Sequence, residues 1–87
     1  MSIDALIRQR LSTLEPETYT LEDESAQHRG HAGAASGGGH FRLTLVSPKF
    51  RNLSTLARHR LVFEAMGELM QREIHALSIT ALTPEEL

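Results

Sequence analysis

Hydrophobic residues in this chain change their spacing from the three-and-four rhythm of a helix to the strict alternation of a strand and back. The order of those changes leaves few folds open. Ile3, Leu6, Ile7, Leu11 and Leu14 recur at helical spacing, with Asp4, Arg8 and Arg10 largely on other faces. Ser2 is placed to cap that helix and Pro16 to stop it at about Glu15, because proline disfavours helical geometry in the residue before it. From Thr18 to Asp23 the pattern alternates: Tyr19 and Leu21 point one way, Thr18, Thr20 and Glu22 the other. From His40 to Val46 it alternates again, with Phe41, Leu43 and Leu45 toward a core and His40, Arg42 and Thr44 away from it. Ser47-Pro48 predicts a short helical turn through Phe50, with proline in the first helical position. Ser54 then caps a longer helix whose apolar face is Leu56, Val62, Phe63, Met66, Leu69 and Met70. A last strand puts His75, Leu77 and Ile79 on one face and Ala76, Ser78 and Thr80 on the other. Thr83-Pro84-Glu85-Glu86 reads as a terminal helical turn.

The resulting order, α-β-β-α-α-β, predicts an α+β two-layer sandwich: three strands, helices on one side, and a polar sheet face left open. At 87 residues the expectation is a single domain spanning 1–87. A chain of this size buries a modest core, and carving a catalytic pocket from it would be costly. No acidic residue stands in a motif with a nucleophile, so the chain is expected to bind and not to catalyse. A net charge of -2 gives no overall attraction to phosphate backbones or acidic membranes. No stretch approaches the roughly 20 apolar residues that a membrane helix needs. The charged residues of the first helix argue against a signal peptide, and the expected location is cytoplasmic.

One stretch breaks the pattern. From Ser25 to Gly39, Gly, Ala, Ser and His dominate and apolar periodicity disappears. This is expected to be a flexible loop at about 25–39, too long for a tight hairpin turn, and long loops are disproportionately functional. Gly37-Gly38-Gly39 leads into a strand and not into a helix N-terminus, so a phosphate-binding loop is excluded by context.

The chain has five histidines and no cysteine. Disulfides, thiol catalysis and thiolate metal sites are thereby excluded within it, while imidazole remains a good metal ligand near neutral pH. His28, His31 and His40 bracket the loop, His59 lies on the long helix, and His75 opens the last strand. His59 is expected to pack at the edge of the core and His40 on the open sheet face. Taken singly, His75 reads as an edge-of-core residue and His28 and His31 as loop polarity. Lys49, Arg51, Arg58 and Arg60 cluster around the middle helices, where they form either a solvated face or a patch for a nucleic-acid backbone.

Longer strings carry a family resemblance. Asp23-Glu24-Ser25 leading to His28 and Gly30-His31-Ala32-Gly33, then His40-Phe41-Arg42, resembles the BolA family. So does Leu45-Val46-Ser47-Pro48-Lys49-Phe50, followed by Arg58-His59-Arg60-Leu61-Val62, His75-Ala76-Leu77 and Thr83-Pro84-Glu85. The resemblance runs nearly end to end. It implies a class II KH-like αββααβ fold and a protein that partners with a monothiol glutaredoxin, with glutathione, to hold a bridging [2Fe-2S] cluster in iron-sulfur trafficking and iron regulation. The cluster ligands it implies on this chain are His75 and a loop histidine, His31, with His28 as the competing choice. No cofactor is expected on the chain alone, which is expected to be a monomer or weak homodimer when free.

Cluster chemistry agrees with that division, since imidazole can replace some thiolates, and a chain without cysteine needs a partner to bring the sulfur ligands. The resemblance also implies an alternative, a KH-like DNA-binding transcriptional regulator of stress response and cell morphology, acting through Lys49, Arg51, Arg58 and Arg60. Arg51-Asn52-Leu53-Ser54 has no glycine where a KH domain carries its GXXG loop, which argues against clamping of RNA in the KH manner. A third reading is a mononuclear zinc site on His28, His31 and His75.

Overall fold

In the computed structural model, which describes residues 2–24, 39–72 and 74–87, the chain runs α1 (Ile3–Leu11), β1 (Thr18–Asp23), β2 (Gly39–Val46), α2 (Thr55–Met66), α3 (Leu69–Arg72) and β3 (Ile74–Leu82). Short 3-10 turns at Ser12–Leu14, Pro48–Phe50 and Pro84–Glu86 join or end these elements. The sheet order is β1-β2-β3. β1 pairs antiparallel with β2, and β2 pairs parallel with β3. A parallel neighbour requires a long crossover, and the segment carrying α2 and α3 provides it.

The caps form where the sequence placed them. Ser2 Oγ accepts the Ala5 N–H and Ser54 Oγ the Ala57 N–H, both at 3.1 Å. Each satisfies an amide that the first helical turn leaves without a partner. α1 gives way to a 3-10 turn before Glu15, whose φ of 49° lets the chain turn into Pro16. The core lies between the helices and one sheet face. It gathers Ile7, Leu11 and Leu14 with Phe41, Leu43 and Leu45, closed by Phe50, Val62, Met66, Leu69 and Ile74. Arg8 stacks on the Tyr19 ring at 4.4 Å, and the Tyr19 hydroxyl donates to Asp4 Oδ1 at 2.8 Å, tying α1 to β1. Partial burial and that carboxylate raise the Tyr19 pKa well above the phenol's usual value.

Ser47 joins three parts of the fold. It is fully buried, its hydroxyl donates to the Leu14 carbonyl at 2.5 Å and accepts the Lys49 N–H at 3.1 Å, and its N–H donates to the Leu82 carbonyl at 2.9 Å. One side chain thus caps the Pro48 turn and holds the end of the first helical segment to the end of β2.

The structure corrects three expectations. The apolar face assigned to the second helix is not one face: the helix ends at Gly67, and Leu69 and Met70 belong to the separate α3. Leu56 and Phe63 are 62% and 41% exposed, because at about 100° per residue both sit well round the helix from the buried Val62. Gly39 belongs to β2, so the loop assigned to about 25–39 ends before it. The third correction concerns His75.

Candidate metal centre at the end of the sheet

Strict alternation places His75 on the face of Leu77 and Ile79. The structure does not. Between Gly39 and His40, β2 advances one residue while its partner advances from Ile74 to Ala76. His75 is the extra residue of a β-bulge, a device that re-aims a side chain at the cost of one ladder step. Ile74 consequently enters the core, 2% exposed, and Leu77 packs against that core, while His75 faces solvent between them.

The bulge also brings two distant histidines together. His40 is paired with Ala76 across the ladder, and its ring lies 5.0 Å from the His75 ring, centre to centre, at an interplanar angle of 44°. His40 is half-buried, with Nε2 shielded from solvent. The sequence marked both residues as histidines but gave no sign that they meet, because the parallel register that joins them is a tertiary fact.

Topology places this pair at a particular end of the molecule. β1 runs antiparallel to β2, so its last residues lie beside the start of β2: Asp23 is opposite Phe41, and the Glu24 N–H donates to the His40 carbonyl at 2.7 Å. β3 runs parallel to β2, so its start lies at the same end. Segment 25–38 therefore leaves and re-enters the sheet beside His40 and His75. His28 and His31 fall within that segment and lie outside the described residues. Glu24 also pairs with Arg42 at 3.3 Å, balancing charge on the same end.

The basic residues meet a different fate. Arg51 donates to both Glu85 carboxylate oxygens, at 2.7 and 2.5 Å. Arg58 donates to both Glu86 oxygens at 2.6 and 3.2 Å, and also to the Leu53 and Ala81 carbonyls, each at 3.0 Å. Its side chain is only 12% exposed. Such bidentate charge-assisted pairs are strong for surface interactions, and here they clasp the C-terminal turn to the end of the Pro48 turn through Arg51 and to the first turn of α2 through Arg58. Hydrogen bonds from Arg58, and then from the Thr83 N–H, hold the Glu86 carboxyl at about 2, against 4.5 ordinarily. Arg51 lowers the Glu85 carboxyl in the same way. Of the four candidate phosphate contacts, Lys49 and Arg60 are exposed, whereas Arg51 and Arg58 already have carboxylates for partners. The sequence showed the acidic pair but not its reach, since 34 and 28 residues separate the partners.

Comparison with known proteins gives consistent results. A family model described as BolA-like protein matches residues 11–86. BolA-like protein 1 of Mus musculus is 44% identical over 85 residues, which is 97% of this chain and 60% of that protein. The chain thus spans less than two thirds of that relative's length. A protein of Haemophilus influenzae named DNA-binding transcriptional regulator BolA is 33% identical over 87 residues, covering 99% of this chain and 82% of the relative. The solved BolA domain of SufE1 from Arabidopsis thaliana superposes with a TM-score of 0.84 at 37% identity, covering 100% of this chain and 99% of that one. These relatives are named as BolA-like proteins or as a regulator of transcription.

Proposed function

The chain belongs to the BolA-like family, and on that premise we propose that it is a cluster-binding adaptor that pairs with a monothiol glutaredoxin and glutathione around a bridging [2Fe-2S] cluster. The observation that carries this reading is the bulge at His75, which turns an imidazole out of a rigid sheet at the end where segment 25–38 is anchored. His75 supplies one ligand and a histidine of that segment, His31 or else His28, the second. The residues fit half of such a site: imidazoles can replace thiolates on one side of a cluster, and 87 residues without cysteine leave the sulfur ligands to the partner. The cluster is cargo in this scheme, and the chain's part is to present nitrogen donors to what the partner brings.

Anaerobic reconstitution with a monothiol glutaredoxin and glutathione tests the assignment through visible circular dichroism. His75→Ala changes the spectrum, and so does one of His31→Ala and His28→Ala. Four coincident spectra, wild type included, would refute the ligand set.

A second reading is favoured by the name of the Haemophilus relative: binding of duplex DNA around the Pro48 turn and α2. In this fold its available contacts are Lys49 and Arg60, because Arg51 and Arg58 must first leave Glu85 and Glu86. Phosphate contacts release counterions, so genuine binding weakens steeply with salt. Binding that is absent, or unchanged by salt and by Lys49→Ala with Arg60→Ala, rules this reading out.

A further inference from the structure

We propose that the outer edge of β3 is where two copies of this chain associate, residues 76–80 pairing antiparallel with the same residues of a second copy about a two-fold axis at Ser78. Among the described residues, β3 has β2 on one side and no strand on the other. The strand runs from Ile74 to Leu82 without an Asp, Glu, Lys, Arg or Pro, the residues that ordinarily guard an edge against pairing. The opposite edge, β1, is shorter and leads into the acidic run Glu22-Asp23-Glu24, which is a guard of that kind. Of the two edges, β3 is the one open to an uncharged strand such as itself.

Carbonyl directions fix the register. The Leu82 carbonyl accepts the Ser47 N–H on the β2 side, whereas the Ala81 carbonyl accepts from Arg58. Backbone groups alternate in direction along a strand, so Leu77, Ile79 and Ala81 turn theirs away from β2. Arg58 already holds Ala81, which leaves Leu77 and Ile79 as the open positions. Centring the contact on Ser78 sets Leu77 of each copy opposite Ile79 of the other, in hydrogen-bonded pairs. Centring it on Ile79 would bring Leu77 against Ala81 and displace Arg58, and centring it on Leu77 would run Ile79 into the bulge at His75. Side chains agree with the Ser78 register. Leu77 and Ile79 pack against the core yet stay half-exposed, and the contact covers the rest with aliphatic on aliphatic. Ala76, Ser78 and Thr80, exposed on the open sheet face, bring no charge to the axis. Pairing of β3 with itself closes at two copies, while β3 on β1 would propagate into open chains. So short a strand pair buries less than a standard interface, and the dimer is therefore weak and concentration-dependent.

The test uses the full chain, alone and metal-free. Sedimentation over a concentration series gives a monomer–dimer equilibrium, and hydrogen exchange at the Leu77 and Ile79 amides slows as the dimer fills. Ser78→Lys puts like charges on the axis and weakens association by at least about tenfold. The position is exposed, and circular dichroism checks that the variant folds. Cross-linking reads the register directly, because the chain has no cysteine of its own. Across the axis, Cα atoms of a non-hydrogen-bonded pair stand about 4.5 Å apart, within reach of a disulfide. Ser78→Cys therefore gives a covalent dimer when oxidised glutathione is added. Thr80→Cys does not, since its two copies lie roughly 13 Å apart along the strands. A chain that stays monomeric at every concentration, growth into higher oligomers, a dimer unaffected by Ser78→Lys, or equal cross-linking by the two cysteine variants overturns the proposal. None of these outcomes touches the partnered cluster, which is read with the glutaredoxin present.

Discussion

Replacing Ser47 by alanine removes one oxygen from the interior and should destabilise the fold far more than its size suggests. Two effects add. The Lys49 N–H loses its cap, which typically costs about 1 kcal/mol. The Leu14 carbonyl loses the donor at 2.5 Å in a place water does not reach, and a buried acceptor deprived of its partner costs about 1–3 kcal/mol. Together they predict a loss of about 2–4 kcal/mol, a large share of the margin of a small domain. Ser54→Ala is the matched control, since Ser54 caps α2 through the same kind of bond but is exposed. It should cost about 1 kcal/mol. Urea unfolding followed by far-ultraviolet circular dichroism measures both, with unchanged m-values confirming that the unfolded state is not the cause. A Ser47→Ala loss no larger than that of Ser54→Ala would show that the buried bond to Leu14 contributes nothing, and the reasoning would fail.

Three further outcomes can be checked with the same assay. Gly67 has φ of 57°, and a Cβ there would stand 3.0 Å from the Arg10 guanidinium, so Gly67→Ala should cost about 1–3 kcal/mol; a neutral result would mean the turn relaxes freely. Leu43 is fully buried in the middle of the central strand, and Leu43→Ala should lose about 2–5 kcal/mol, a loss under about 1 kcal/mol showing that the core collapses around the gap. Because the folded Glu86 carboxyl lies at about 2, below its ordinary 4.5, its contribution is present above 4.5 and disappears as pH falls through about 2. Glu86→Gln should therefore reduce the acid sensitivity of the urea midpoint in that window, and identical pH profiles for the two proteins would discount the Arg58 clasp.

Much of the architecture was legible because it rests on local chemistry. Three-and-four spacing marked α1, strict alternation marked β1 and β2, and Ser2, Ser54 and Ser47-Pro48 announced where helical turns begin. Thr83 and Glu86 form the capping box that their spacing suggested. The second helix was read less well. Leu56 and Phe63 match the helical rhythm, yet which flank of a helix is covered depends on how the sheet and α1 pack against it.

The candidate site divides in the same way. The sequence by itself determined which chemistry is available: imidazoles and no thiols, grouped near one unpatterned segment. It also determined that any cluster on this chain would need sulfur ligands from elsewhere. Only the tertiary structure decided which histidine faces outward and what stands beside it. A bulge adds one residue to a strand, and counting by twos cannot detect it, so His75 moved from the side of Leu77 to solvent. The parallel ladder then set His40 against it across 35 positions of chain, and the C-terminal turn claimed Arg51 and Arg58 across nearly as many. Local rhythm records which face a residue prefers, while register and long-range pairing, which depend on the whole packed chain, record what it meets there.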